Sequence, residues 1–436
     1  MDHYSLVLSG GGMKGAFEIG VWKALREQNI KIPCVIGSSI GVLNAALIAQ
    51  NEFDTAIEFW WKLTINEVLK LNNQMAEHYV NEWSEYSFSF FKNAFTAILF
   101  RGGLDISPLR NALKHLINED KIRQSPTKLG LVTLELNTLK PISLMIDDIP
   151  KGKLIDYLLA SAALPVFCRQ ELGGKTYLDG GFCDVLPINF MIDAGYKKII
   201  VVEMPVPGIK KSLKAHDADL LYIKNSEYLG LVLEFDQSRI HHNIQLGYYD
   251  SLRALKVTIG KLYYLSPDQT RYYQNLGLAL KQPPLDAMAR QKMALLLDLD
   301  QPLDSDSFSK ALKKLIKTAK FLKQPPIELC LIESAAHCVG VPHLKEYTLD
   351  ALMVAALKKL KEQMDSLLNQ GRSITSFFSD NQIDKHQFVV LYVLFLSLKE
   401  TVPLNMTSSI LKYFTPESTL ALIGFIYIHQ ILNFET

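Results

Sequence analysis

Ser39 sits in Gly37-Ser38-Ser39-Ile40-Gly41, a G-x-S-x-G pattern between the β-branched run "PCVI" and the helix-forming run "VLNAALIAQ". A serine on so sharp a strand-to-helix turn needs small flanking residues, because neighbouring backbone must approach closely. The turn then lifts its Oγ to the helix N-terminus, where it can act as a nucleophile. The frame selects Ser39 over Ser38. Taken alone, the five residues fit an ordinary tight turn better than a nucleophile.

Acyl transfer also needs donors for a developing oxyanion and a base for the serine. Gly10-Gly11-Gly12-Met13-Lys14-Gly15 follows the strand-like "LVLS" and precedes a helical run. Consecutive glycines there present unobstructed backbone amides, which makes Gly11 and Gly12 candidate oxyanion donors, joined by the N–H of Ile40 beside the nucleophile. The same six residues satisfy G-x-G-x-x-G. The dinucleotide fingerprint, however, requires an acid at the end of the second strand, where this chain has Gly37 and Ser38, and Glu27 ends the helix instead. A phosphate-cradling G-x-x-x-x-G-K-[ST] is absent from the cluster.

The base candidate is Asp179 in "YLDGGFCDVLP", between a short strand and Gly180-Gly181. Partial burial in such a loop raises a carboxyl's proton affinity toward a useful range, although Asp-Gly pairs also make simple Asx turns. A Ser-Asp-His triad would draw on His216, His241 or His242. The early position of Ser39, directly after the second strand, argues against that arrangement.

The elements that must position these residues alternate. "YSLVLS", "CVIG", "LGLVTLEL", "KPISLMI", "KKIIVVEM" and "DLLYIKN" read as strands. "AFEIGVWKALREQ", "GVLNAALIAQ", "KLIDYLLASAAL" and "QSRIHHNIQLGYYDSLRAL" read as helices. The alternation predicts an α/β layered domain over residues 1–260 around a mostly parallel sheet. Helical periods dominate afterwards, so residues 261–436 are expected to form a mainly helical domain. The 436 residues are 48% hydrophobic and 21% charged, which excludes wholesale disorder. A formal net charge of +1 provides no field for nucleic acid. Five scattered cysteines suggest neither a disulfide framework nor a zinc site.

The N-terminus lacks a basic n-region and an apolar h-region, so the expected location is cytoplasmic or peripheral to a membrane, or outside after export that needs no such leader. The apolar runs Phe388 to Leu398 and Leu420 to Leu432 are too short to span a bilayer and read as buried helices. The acid-rich stretch Asp298 to Phe308 fails the calcium-loop template, having no glycine sixth and no glutamate twelfth, and no metal is expected.

The order and spacing of "GGGMKG", "GSSIG", "ASAALPVF" and "DGG" resemble the bacterial branch of the patatin-like phospholipases, over roughly the first 260 residues. The resemblance implies a three-layer α/β/α domain and a Ser39–Asp179 dyad without histidine or cofactor. It implies an oxyanion hole from Gly11, Gly12 and Met13, and a basic position at Lys14 that supports the loop or faces a substrate phosphate. The reaction implied is hydrolysis of acyl esters of phospholipids or lysophospholipids through an acyl-enzyme. Ser38 replaces a common threonine and Val185 a common asparagine, neither of which carries the chemistry. A catalytically silent scaffold whose helical domain binds a partner or activator protein is the alternative from another class.

Two segments could meet lipid. One is the aromatic cluster between Tyr79 and Phe100; the other is the face of Lys310, Lys313, Lys314, Lys317 and Lys320 opposite Leu312, Leu315, Ile316, Ala319 and Leu322. Ordinary core packing and a solvated helix face explain them as well.

Overall fold

The computed structural model describes residues 3–70, 103–214, 217–267, 287–297, 305–319, 327–369 and 415–432. The aromatic cluster, the run 388–398, residues 298–304, His216, Lys320 and Leu322 lie outside the described residues. The chain divides into two compact units, Met1–Ala254 and Leu255–Thr436, where the sequence reading put the boundary at 260.

The first unit runs β1 (Ser5–Leu8), α1 (Ala16–Glu27), β2 (Cys34–Ser38), α2 (Ile40–Gln50), α3 (Phe53–Lys62), α4 (Ile65–Val68), α5 (Ser107–Leu116), α6 (Glu119–Gln124) and β3 (Lys128–Glu135). It continues with β4 (Lys140–Met145), α7 (Leu154–Ser161), β5 (Gln170–Leu172), β6 (Lys175–Leu178), α8 (Ile188–Asp193), β7 (Lys198–Glu203), β8 (Asp219–Lys224) and α9 (Gln237–Ala254). One sheet of eight strands is ordered β5-β6-β3-β2-β1-β7-β8, with β4 on the free edge of β3. The five strands from β3 to β8 in that order pair in parallel, while β4, β6 and β5 pair antiparallel. Every residue of β1 and β2 is buried, as a parallel sheet covered on both faces requires. On one face Val7, Ile36, Ile199 and Val201 pack with Ile188 and Met191 of α8, and the alternate residues Leu6, Val35, Ile200 and Val202 are equally buried on the other.

The pairing of β3 fixes the site. Its residues 130–132 pair with both β2 and β4, and Leu134 and Glu135 pair with both β6 and β4. Hence β2 and β6 share one edge of β3. β2 runs parallel to β3 and ends with Ser38 opposite Val132, whereas β6 runs antiparallel and ends with Leu178 opposite Leu134. The two strands point at each other, and the next residues are Ser39 and Asp179.

Helices α1 and α9 touch backbone to backbone beside this sheet. A Cβ on Gly20 would lie 1.9 Å from the Ile244 carbonyl oxygen, and one on Gly247 would lie 2.0 Å from that of Phe17. No larger residue fits without parting the helices.

In the second unit a two-residue parallel pair joins β9 (Tyr264–Leu265) to β10 (Glu346–Tyr347), among α10 (Ala287–Leu296), α11 (Ser305–Thr318), α12 (Ile327–Cys338), α13 (Leu349–Asn369) and α14 (Pro416–Leu432). Helix α14 contains the apolar run read as a buried helix, and its Leu420, Ile423 and Phe425 are fully enclosed. In α11, Leu312 and Ile316 enter the same core, while Lys310, Lys313, Lys314 and Lys317 stay exposed. The buried Glu333 of α12 accepts backbone N–H groups from Lys261, Leu262 and Tyr263, pinning the loop before β9. Among the described residues no helix is long and apolar enough to cross a membrane.

Replacing Gly247 with alanine is expected to destabilise the first unit by about 1–3 kcal/mol through overpacking. Urea unfolding should show a lower midpoint with an unchanged slope.

Candidate active site

Ser39 occupies the turn between β2 and α2 with φ 56° and ψ −128°, a conformation that costs a non-glycine residue about 1–3 kcal/mol. The surrounding glycines allow it. A Cβ on Gly37 would lie 2.4 Å from the Gly41 carbonyl, and one on Gly41 would lie 2.5 Å from the Ser9 carbonyl oxygen. The turn leaves Ser39 Oγ donating to Asp179 Oδ2 at 2.5 Å.

Asp179 is 3% exposed. Its other oxygen, Oδ1, accepts the Gly181 N–H at 2.8 Å, so the aspartate caps its own tight turn and holds the serine at once. Burial pushes its carboxyl up to about 6, against the opposing pull of the Ser39 and Gly181 hydrogen bonds. The Asx-turn reading and the base reading are therefore the same geometry.

The segment after α7 supports both partners. Ser161 Oγ accepts the Ser39 N–H at 3.2 Å and donates to the Val132 carbonyl at 2.7 Å, and the Ala163 carbonyl accepts the Asp179 N–H at 2.9 Å. The sequence reading used "ASAALPVF" only as a family motif and did not single out Ser161. A serine near the end of a helical run carries no signal of what its hydroxyl will reach.

The glycine loop corrects one expectation. Met13 was expected to donate to an oxyanion, but its N–H is bonded to the Val232 carbonyl at 2.8 Å. Gly12, at φ 56°, passes so close that a Cβ there would lie 2.0 Å from the same oxygen. The N–H groups of Gly11, Gly12 and Ile40 take no backbone acceptor among the described residues, and these three residues line the cleft with Ser39. For Lys14 the resemblance left two roles open, support of the loop or a substrate contact. Its Nζ donates to the Pro205 carbonyl at 2.7 Å, and burial pushes its ammonium down, opposed by Glu234. It braces the loop. Gly10 donates to the Val185 carbonyl at 3.1 Å, so the backbone of Val185 ties the loops together whatever its side chain.

Beneath the loop, Asn44 of α2 donates to the Gly15 carbonyl at 3.0 Å and to Glu18 at 2.8 Å, and accepts the Trp60 indole N–H at 2.9 Å. Burial holds the Glu18 carboxyl well above the ordinary carboxylate range. None of this chain of contacts was anticipated from the sequence.

Two apolar lobes meet at Ser39. A wide one of about 890 Å³ is bounded by Gly10, Pro165, Asp179 and the segment 206–209, and its rim carries Phe182 and Ile209, exposed by 44% and 55%. A narrow one runs along α2 past Leu43, Leu47 and Leu113. His241 stacks on Trp61 with ring centroids 3.7 Å apart, and His242 pairs with Glu227. Neither histidine lines a lobe. Among the described residues no acidic, histidine or cysteine cluster could hold a metal.

Asp179 places a pH signature on stability. Folded, it keeps its proton to about pH 6; unfolded, only to the ordinary value of 3.8, so stability is lost as pH rises between these and stays reduced above. Asp179→Asn is expected to stabilise the protein at pH 8 by up to about 3 kcal/mol, an advantage that shrinks toward zero near pH 4. Urea midpoints across that range measure it.

Comparison with known proteins supports the motif reading. The family model described as patatin-like phospholipase matches residues 6–192. An uncharacterised NTE-family protein of Mycobacterium tuberculosis is 26% identical over 185 residues, 42% of this chain and 44% of its own length. Lysophospholipase NTE1 of Candida albicans is 24% identical over 287 residues, 60% of this chain and 18% of that protein. The chain thus matches less than half the length of either relative. VipD from Legionella pneumophila aligns over 98% of this chain and 92% of its own at 12% identity and a TM-score of 0.34, a likeness too loose to carry detail. The sequence motifs, the family match over residues 6–192 and the sheet that brings Ser39 to Asp179 agree that the first unit of this chain is similar to the patatin-like phospholipases.

Proposed function

We propose that the chain hydrolyses fatty acyl esters of glycerophospholipids or lysophospholipids with a Ser39–Asp179 dyad. The observation that carries this is the 2.5 Å contact between Ser39 Oγ and Asp179 Oδ2 where two apolar lobes meet. Ser39 Oγ attacks the ester carbonyl as its proton passes to Asp179 Oδ2, and the N–H groups of Gly11, Gly12 and Ile40 receive the oxyanion. Collapse expels the alcohol, which takes the proton from Asp179, and leaves the acyl-enzyme. Asp179 then takes a proton from water as that water attacks the acyl carbonyl, and returns it to Ser39 Oγ as the acid departs.

A carboxyl held near pH 6 is ionised at neutral pH yet basic enough to accept a proton in the transition state. The apolar walls favour a lipid acyl group over a polar ester. With no spanning helix among the described residues, contact with lipid would be peripheral. The helical second unit is the candidate seat of an activator or partner protein, and of placement on a membrane in the cytoplasm or after export. The scaffold reading predicts an inert serine.

Vesicles of mixed phospholipid and lysophospholipid, with fluorophosphonate labelling alongside, test the reading. Wild type should label and release fatty acid, Ser39→Ala should do neither, and Asp179→Asn should lose release by at least about a thousandfold. On a soluble short-chain ester, kcat/KM should rise about tenfold per pH unit below 6 and flatten above. His241→Ala and His242→Ala should keep activity within about threefold, whereas loss of activity in either would restore the triad.

A further inference from the structure

We infer that Leu116 and Ile117 close the far end of the narrow lobe, and that this stop sets the longest acyl chain the site encloses. The inference rests on the acyl-hydrolase reading above and adds to it a limit on chain length.

The lobe begins at Ser39 and follows one face of α2, touching Ile40, Leu43, Asn44 and Leu47 at helical spacing. Helix α5 supplies the opposite wall with Leu109, Leu113 and Leu116, again one face of a helix. Beyond Leu116 and Ile117 lies a separate cavity of about 740 Å³ with polar walls that include Lys114, His115, Lys121 and Glu119. Leu116 and Ile117 line both spaces, so they form the partition.

Gln50, the last residue of α2 and 4% exposed, fixes that partition. Its Nε2 donates to the Leu116 carbonyl at 2.7 Å, and its Oε1 accepts the Asn118 N–H at 2.8 Å. Leu116 and Ile117 are thereby clamped between the two ends of one side chain.

The depth follows from helix geometry. From Ile40 to Gln50, α2 advances about 15 Å at 1.5 Å per residue, the reach of an extended acyl chain of about a dozen carbons with bonds near 1.5 Å. Each enclosed methylene should strengthen binding about fourfold, and methylenes beyond the stop should add nothing.

Fatty acids graded from hexanoate to octadecanoate, bound to the full chain and measured by calorimetry, read the depth directly. Affinity should climb about fourfold per methylene and level off at about a dozen carbons. Leu116→Ala, at a half-buried position, should open the partition and move the plateau to longer chains. Leu47→Phe, one turn before Gln50, should move it about three to four carbons shorter. If Leu47→Phe does not fold, as its urea midpoint will show, Leu116→Ala decides alone. An even climb through octadecanoate in wild type, or a plateau that Leu116→Ala leaves in place, overturns the inference. Hydrolysis of p-nitrophenyl esters of the same lengths runs alongside. A plateau that shifts without hydrolysis sinks the hydrolase reading and keeps the stop, whereas hydrolysis with no plateau does the reverse.

Discussion

The site depends on β3 serving as one template for two opposed strands. Because β2 arrives parallel and β6 antiparallel along the same edge, their C-terminal residues meet with only the Thr133 position between them. Thr133 fills that gap, its Oγ1 donating to the Leu178 carbonyl at 2.8 Å and to that of Ala160 at 3.2 Å. Neighbouring Val132 accepts the hydroxyl of Ser161, which in turn supports the Ser39 amide. A slip of one residue in either ladder would turn the strand's side chains to the opposite face and separate Ser39 from Asp179.

That convergence concentrates cost in one place. Ser39 is held at φ 56° and Asp179 is enclosed away from water, and each is unfavourable for stability. The buried strands around them and the close contact of α1 with α9 supply the offsetting apolar burial and rigidity. In the proposed reaction this arrangement is a gain, because the Ser39–Asp179 hydrogen bond is set before substrate arrives.

What could be read from the sequence was chemistry tied to strand ends. Ser39, Asp179 and the glycines stand at fixed offsets from β-branched runs, so residue type and position together expose them. The alternation of strands and helices was equally plain, as were the helices of the second unit from their period. What could not be read depends on partners far along the chain. The direction of the Met13 amide is set by Val232 and the destination of the Lys14 ammonium by Pro205, both about two hundred residues away. The same holds for Glu333 and its three amides, and for the two-residue strands β9 and β10, too short for any alternation to show.

On the proposed mechanism, the turning away of Lys14 also explains how one carboxylate could serve without histidine. An ammonium beside Asp179 would favour its ionised form and pull its proton affinity back toward that of free aspartate. Lys14 is instead committed to Pro205, and Lys211 lies 3.7 Å from Asp184. The proposed oxyanion donors are then backbone amides, which would stabilise negative charge in the transition state without placing a full cation next to Asp179. A glycine loop is therefore more than a space-saving device here. It allows the same few ångströms to hold a basic aspartate and a site for an oxyanion, two demands that a lysine or arginine at that position would set against each other.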